Sequence, residues 1–166
     1  MREAGNHHYH LTTLWQFDAP LEIVWDAIFH SEAWPGWWNG AECIVTLERG
    51  EADGLGARQR YTWKGVLPYR LSFVMRVTRI EPLRLLEGCV EGDLEGTGCW
   101  RFERDQGLTT VRYEWQVRTT RLWMNLLAPL AKPLFRWNHD AIMRAGGIGL
   151  ARHLRAGRSA QTARSC

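Results

Sequence analysis

Between residues 41 and 120 apolar and polar side chains alternate almost without a break, the period of strands that bury one face. The clearest run closes the stretch: Val111, Tyr113, Trp115 and Val117 fall on one face, and Arg112, Glu114, Gln116 and Arg118 on the other. Tyr61 and Trp63, then Phe73, Met75 and Val77, then Trp100 and Phe102 repeat the split. Six strands fit, at 41–49, 57–66, 69–80, 85–91, 98–104 and 109–119, and the short turns between them predict an antiparallel meander. A seventh, 9–17, precedes them, with Leu11, Thr13, Trp15 and Phe17 in alternation.

Helices are expected at both ends of this run. Asp18-Ala19-Pro20 predicts a helix start, Asp18 as the capping acid and Pro20 in the first turn, with Leu21, Val24, Trp25 and Ile28 as the buried stripe. Ser31 is placed to cap a second, very short helix that Pro35 and Gly36 end, leaving Trp34, Trp37 and Trp38 close together. From 121 to 156 the spacing changes to four: Leu122, Leu126, Leu130, Leu134, Asn138, Ile142 and Gly146 are predicted to share one helical face. Pro129 and Pro133 kink the first third, so the regular helix is expected from about Pro133. Only this helix is long enough to cover the dry face of the sheet. Residues 9–156 make one domain, with 1–8 a flexible N-terminus and 157–166, which lack an apolar period, a disordered tail.

Composition narrows the class. At 166 residues and 45% hydrophobic the chain builds one real core. A net charge of +3, with Lys64 and Lys132 the only lysines, is too small to argue for nucleic acid. Ten tryptophans are many, and rings this large are seldom fully buried, so some are expected to line a cavity or its mouth. The four cysteines form no CxxC pair and are expected to be reduced thiols. MREAGNHHYH has no apolar core and no run is long enough to span a bilayer, which gives the expectation of a soluble cytoplasmic protein. No carboxylate or cysteine completes a ligand set with His7, His8 and His10, so no metal is assigned, and no cofactor is expected.

Candidate chemistry is sparse. There is no GxSxG, CxxC, HExxH or Walker loop, and Gly146, Gly147 and Gly149 read as close helix packing rather than a phosphate loop. In Trp137-Asn138-His139-Asp140, neighbouring residues point about 100° apart, so His139 and Asp140 do not share a face as a dyad. Asn138 is in phase with Leu134 and Ile142 and offers a ligand one hydrogen bond. His139 and Asp140 are expected on the flank, and Glu87 outside, because Leu86, Gly88 and Val90 fit the inner face.

FDAPLEIVWDAI with the following WPGWWNG, then GDLEGTGCW and WNHDAIMRAGGIGL, resemble segments of the START-like and polyketide cyclase/dehydrase superfamily (SRPBCC), over residues 9–154. The resemblance implies an α+β helix-grip fold: a seven-stranded antiparallel curved sheet, two short helices and a long C-terminal helix enclosing an apolar cavity. It implies binding of an apolar small molecule, whether lipid, polyketide or aromatic, by a carrier or sensor. The alternatives are a cyclase or aromatase-like enzyme, for which no catalytic residue is matched, and a protein- or membrane-interaction module. The expected lining is Tyr61, Trp63, Phe73, Met75, Trp100, Phe102, Tyr113, Trp115, Asn138 and Ile142. The expected gate is segment 122–134, with Leu126 and Leu130, moving against Trp34, Trp37 and Trp38 while Arg121, Lys132 and Arg136 rest transiently on an anionic membrane. A monomer or weak dimer is expected.

Overall fold

The computed structural model describes residues 8–122 and 128–164. Seven strands, β1 (His8–Phe17), β2 (Ala41–Glu48), β3 (Arg58–Lys64), β4 (Arg70–Glu81), β5 (Leu85–Gly92), β6 (Leu94–Asp105) and β7 (Leu108–Thr119), form one antiparallel sheet in the order β1-β7-β6-β5-β4-β3-β2. The meander runs from β2 to β7, and β1 joins its free edge in a register of Tyr9 with Val117 through Trp15 with Val111, so buried positions lie beside buried positions. Shifts of register in β2, between Ala41 and Cys43 and between Thr46 and Glu48, and in β4, between Val77 and Arg79, add bend to the sheet. The inner face is dry: Val111, Trp115 and Val117 are almost fully buried, while Arg112, Gln116 and Arg118 are exposed.

β6 begins at Leu94, earlier than its composition suggests. Gly96 sits at φ 148°, and a Cβ there would meet the Gln116 carbonyl oxygen at 2.0 Å, so a glycine is what lets this end of β6 close onto β7.

Helix α1 (Leu21–Phe29) buries Val24 and Ile28, as its stripe predicts. Its N-cap position is Pro20 rather than Asp18, and no side chain caps it. A 3-10 helix, Ser31–Gly36, follows with Pro35 inside it. Ser31 does not cap this turn: its hydroxyl donates to Gln59 Oε1 at 2.7 Å and accepts from the Tyr61 hydroxyl at 2.9 Å.

Helix α2 (Ala128–Arg164) starts before Pro133 and carries that proline within it. It continues past Ala156, where the apolar period stops and a structureless tail was expected, with an Arg158 guanidinium N–H donating to the Asp18 carbonyl oxygen. Its buried face is Phe135, Asn138, Met143, Gly146, Leu150 and Leu154. The expected four-residue line holds only in part, because Leu130 is 78% exposed and Leu134 47%. A four-residue step overshoots one turn by about 40°, so a line that faces inward at Gly146 has rotated about 160° by Leu130. No described helix is long and apolar enough to cross a membrane.

Candidate functional site: an aromatic cavity under the long helix

Between the sheet and the first half of α2 lies a cavity of about 70 Å³. Tyr61, Trp63, Phe73, Met75, Trp100, Tyr113 and Trp115 border it from the sheet, and Asn138 and Ile142 from α2. Phe102, expected with them, does not: it shares the face of Trp100 but lies further along β6, where it meets the Trp25 ring of α1 at 4.9 Å. The lining also includes Trp34, Trp38, Leu71, Leu94, Phe135, His139 and Met143. Of these, Leu71 was legible from the alternation of β4, whereas Trp34 and Trp38 were crowded near the chain turn but assigned to a gate.

Aromatic contacts build the walls. Trp100 stacks on Tyr113 at 3.9 Å, Tyr61 on Phe73 at 5.6 Å, and Trp38 meets Trp34 at 4.9 Å and Trp63 at 5.0 Å. Two glycines leave room for this. A Cβ at Gly98 would meet the Trp115 ring at 2.8 Å, and one at Gly88 would meet Met75 Cγ at 2.8 Å.

Trp37 and Trp38 are fixed elsewhere than the expected gate. Trp38 Nε1 donates to the Ile142 carbonyl at 2.9 Å, its ring lies where a Cβ at Gly146 would come within 2.4 Å, and Trp37 stacks between Trp38 and His153. Both therefore pack against the middle of α2, about four turns from the exposed Leu130. Leu126 lies outside the described residues. Arg121, an expected membrane contact, is paired with Asp93 at 2.6 Å.

The polar groups divide by whether they are already satisfied. Asn138 Oδ1 accepts from the backbone N–H groups of Val66, at 2.9 Å, and Leu67, at 3.3 Å. This oxygen pins the β3–β4 turn to α2. The Tyr61 hydroxyl bonds Ser31 and lies 2.9 Å from Gln59 Oε1, and burial pushes its pKa up to about 12. Burial likewise raises the Tyr113 hydroxyl well above the ordinary tyrosine range. His139, expected on the flank, borders the cavity. Both its ring nitrogens are buried without a hydrogen-bond partner, and burial lowers its pKa against a weaker pull from Asp140, whose carboxylate is 3.5 Å away.

A second space of about 360 Å³ adjoins the first beneath the 3-10 helix. The two share Trp34, Tyr61, Met75 and Trp100, and the second adds Ser31, Gln59, Thr46, Arg49, Glu32 and Glu87. Glu87, expected outside, contributes to this rim.

No family model and no curated protein matches the chain by sequence. Solved structures do. The Zhui aromatase/cyclase from a Streptomyces species superimposes with a TM-score of 0.71 at 16% identity, over 88% of this chain and 94% of that one. The chain has the helix-grip fold of START-like proteins. A START superfamily protein from Mycobacterium smegmatis gives a TM-score of 0.71 at 12% identity, covering 89% of this chain and 97% of its own. The di-domain ARO/CYC BexL, from the BE-7585A biosynthetic pathway, gives 0.70 at 17% identity, over 89% of this chain and 50% of that two-domain chain. Identities this low establish the START-like helix-grip architecture alone, since one fold hosts many functions.

Proposed function

We propose that this helix-grip protein binds an apolar small molecule, of lipid, polyketide or aromatic character, between sheet and α2, as a carrier or sensor. The observation that carries the reading is the pair of adjoining spaces, one walled by aromatic rings and one with a polar rim, that share Trp34, Tyr61, Met75 and Trp100. Size decides how a ligand is held. An apolar cavity of about 150 Å³ accepts benzene, so about 70 Å³ alone is too small and an occupant extends into the neighbouring space. Met75, unbranched and lying on Gly88, is the side chain in the shared wall best able to swing aside. Removing apolar ligand surface from water supplies roughly 25 cal/mol per Å², before the costs of ordering.

A cyclase-like enzyme is the second reading. His139 favours it, as a buried imidazole at the cavity wall, with the Asp140 carboxylate 3.5 Å from Nδ1 and Nε2 without a hydrogen-bond partner, is a suitable proton acceptor. The carrier reading stands ahead because Asn138 is committed to the backbone and the Tyr61 hydroxyl to Ser31, which leaves few polar groups converging on a reacting atom.

Titration with the neutral fluorescent probe N-phenyl-1-naphthylamine tests the reading. The folded protein is expected to give saturable, one-to-one binding that Trp63→Ala or Trp115→Ala weakens, with thermal melting followed in parallel because such truncations also cost about 3–5 kcal/mol of stability. Mass spectrometry of solvent extracts of the native protein is expected to show a copurified apolar molecule. Absence of saturable probe binding by the folded protein would overturn the reading.

A further inference from the structure

Helix α2 has a second apolar line on the side away from the sheet. At 100° per residue Leu130, Leu134, Trp137 and Ile148 fall within about 40° of one direction, opposite Phe135, Met143 and Leu150. Their exposures are 78%, 47%, 52% and 49%, so the line is open to solvent. Arg144, Arg152 and Arg155 lie in the same sector, all exposed, and form no ion pair among the described residues. Between Ala128 and Arg164 the sequence has seven lysines and arginines against one acid, Asp140.

We infer that this outer face of α2 is a docking surface for an anionic lipid bilayer, with the helix lying in the plane of the interface. Aliphatic and indole side chains then enter the headgroup and acyl boundary, and the arginines meet lipid phosphates. The charge pattern selects this occupant over a second copy of the chain. An antiparallel pair of such faces would press Arg152 and Arg155 onto Leu130 and Leu134, and a parallel pair would set arginine against arginine, in both cases without carboxylates to compensate. The surface is separate from the ligand spaces, which open on the other side of the helix.

Co-sedimentation of the full chain with vesicles tests the inference, using phosphatidylcholine alone and phosphatidylcholine with phosphatidylglycerol in equal parts. Binding is expected only to the anionic vesicles, and to fall as salt is raised. The triple variant Arg144→Gln, Arg152→Gln, Arg155→Gln should partition on the order of a hundredfold more weakly, at about fivefold per arginine. Leu134→Ser with Trp137→Ser should weaken partition by about tenfold. A control that removes two arginine charges elsewhere, Arg60→Gln with Arg76→Gln on exposed positions of the sheet, should bind as the parent does. Melting temperature and N-phenyl-1-naphthylamine affinity are read in every variant, and both are expected to stay at the parent values. Equal binding to neutral vesicles, equal weakening by the control, or no binding to anionic vesicles at low salt would each overturn the inference. Self-association abolished by the Leu134 and Trp137 changes, without vesicle binding, would replace the bilayer with a second copy.

Discussion

The two halves of α2 that lie over the sheet solve opposite packing problems. From Met143 to Leu154 the helix carries Gly146, Gly147 and Gly149, and the rings of Trp15 and Trp38 and the Trp37 carbonyl come so close that a Cβ at Gly149 would meet that oxygen at 1.9 Å. From Phe135 to Ile142 its cavity-lining side chains, Phe135, Asn138, His139 and Ile142, are larger, two of them polar, and they roof the cavity. The tryptophans thus close one end tightly by filling space that missing side chains concede, and the other end keeps a void. On the proposed function, stability belongs to the glycine end and ligand handling to the other.

Disturbing the tight end should have the largest effect. Alanine is intrinsically better than glycine in a helix by about 1 kcal/mol, yet Gly146→Ala would drive a Cβ to 2.4 Å from the buried Trp38 ring. Net destabilisation of about 3 kcal/mol is expected in chemical denaturation, and a stabilised variant would show that the indole yields easily.

Asn138→Ala comes next. It leaves the part-buried N–H groups of Val66 and Leu67 without their acceptor, at a cost of about 1–2 kcal/mol. Faster amide exchange at those two positions, with the probe affinity of the folded protein little changed, would separate its bracing role from ligand contact. Met75→Ala is expected to cost about 1–2 kcal/mol, and to admit bulkier probes by merging the two spaces that Met75 divides. Unaltered size selectivity would show that Met75 is no barrier.

The smallest effect is a pH slope. The folded His139 has a lowered pKa, so between the unfolded value near 6.5 and the lower folded value the unfolded chain binds the extra proton. Stability therefore falls as pH drops through that window and levels below it. His139→Leu should melt with a shallower loss as pH falls below about 6.5, and an identical slope would mean that His139 is not buried neutral.

The sequence carried the sheet well because period two survives wherever one face is wet: the inward Val111, Tyr113, Trp115 and Val117 were legible as a set. What phase does not carry is position along a strand, and so Phe102 was grouped with Trp100 although α1, not the cavity, lies over it. His139 was missed for a related reason. A curved sheet encloses a wide arc of the helix, so Asn138 and His139, about 100° apart, both border the interior. The satisfied state of Asn138 depends on Val66 and Leu67, 72 and 71 residues away in the chain, a contact that no local spacing encodes.

Filling the void tests the central claim most directly. Ile142→Trp places an indole in the cavity at a stability cost of about 1–3 kcal/mol. Titrated with N-phenyl-1-naphthylamine beside the parent, the folded variant is predicted to lose saturable binding. Undiminished affinity in a folded Ile142→Trp protein would mean that the probe binds elsewhere, and would contradict the account of the space under α2 as the ligand site.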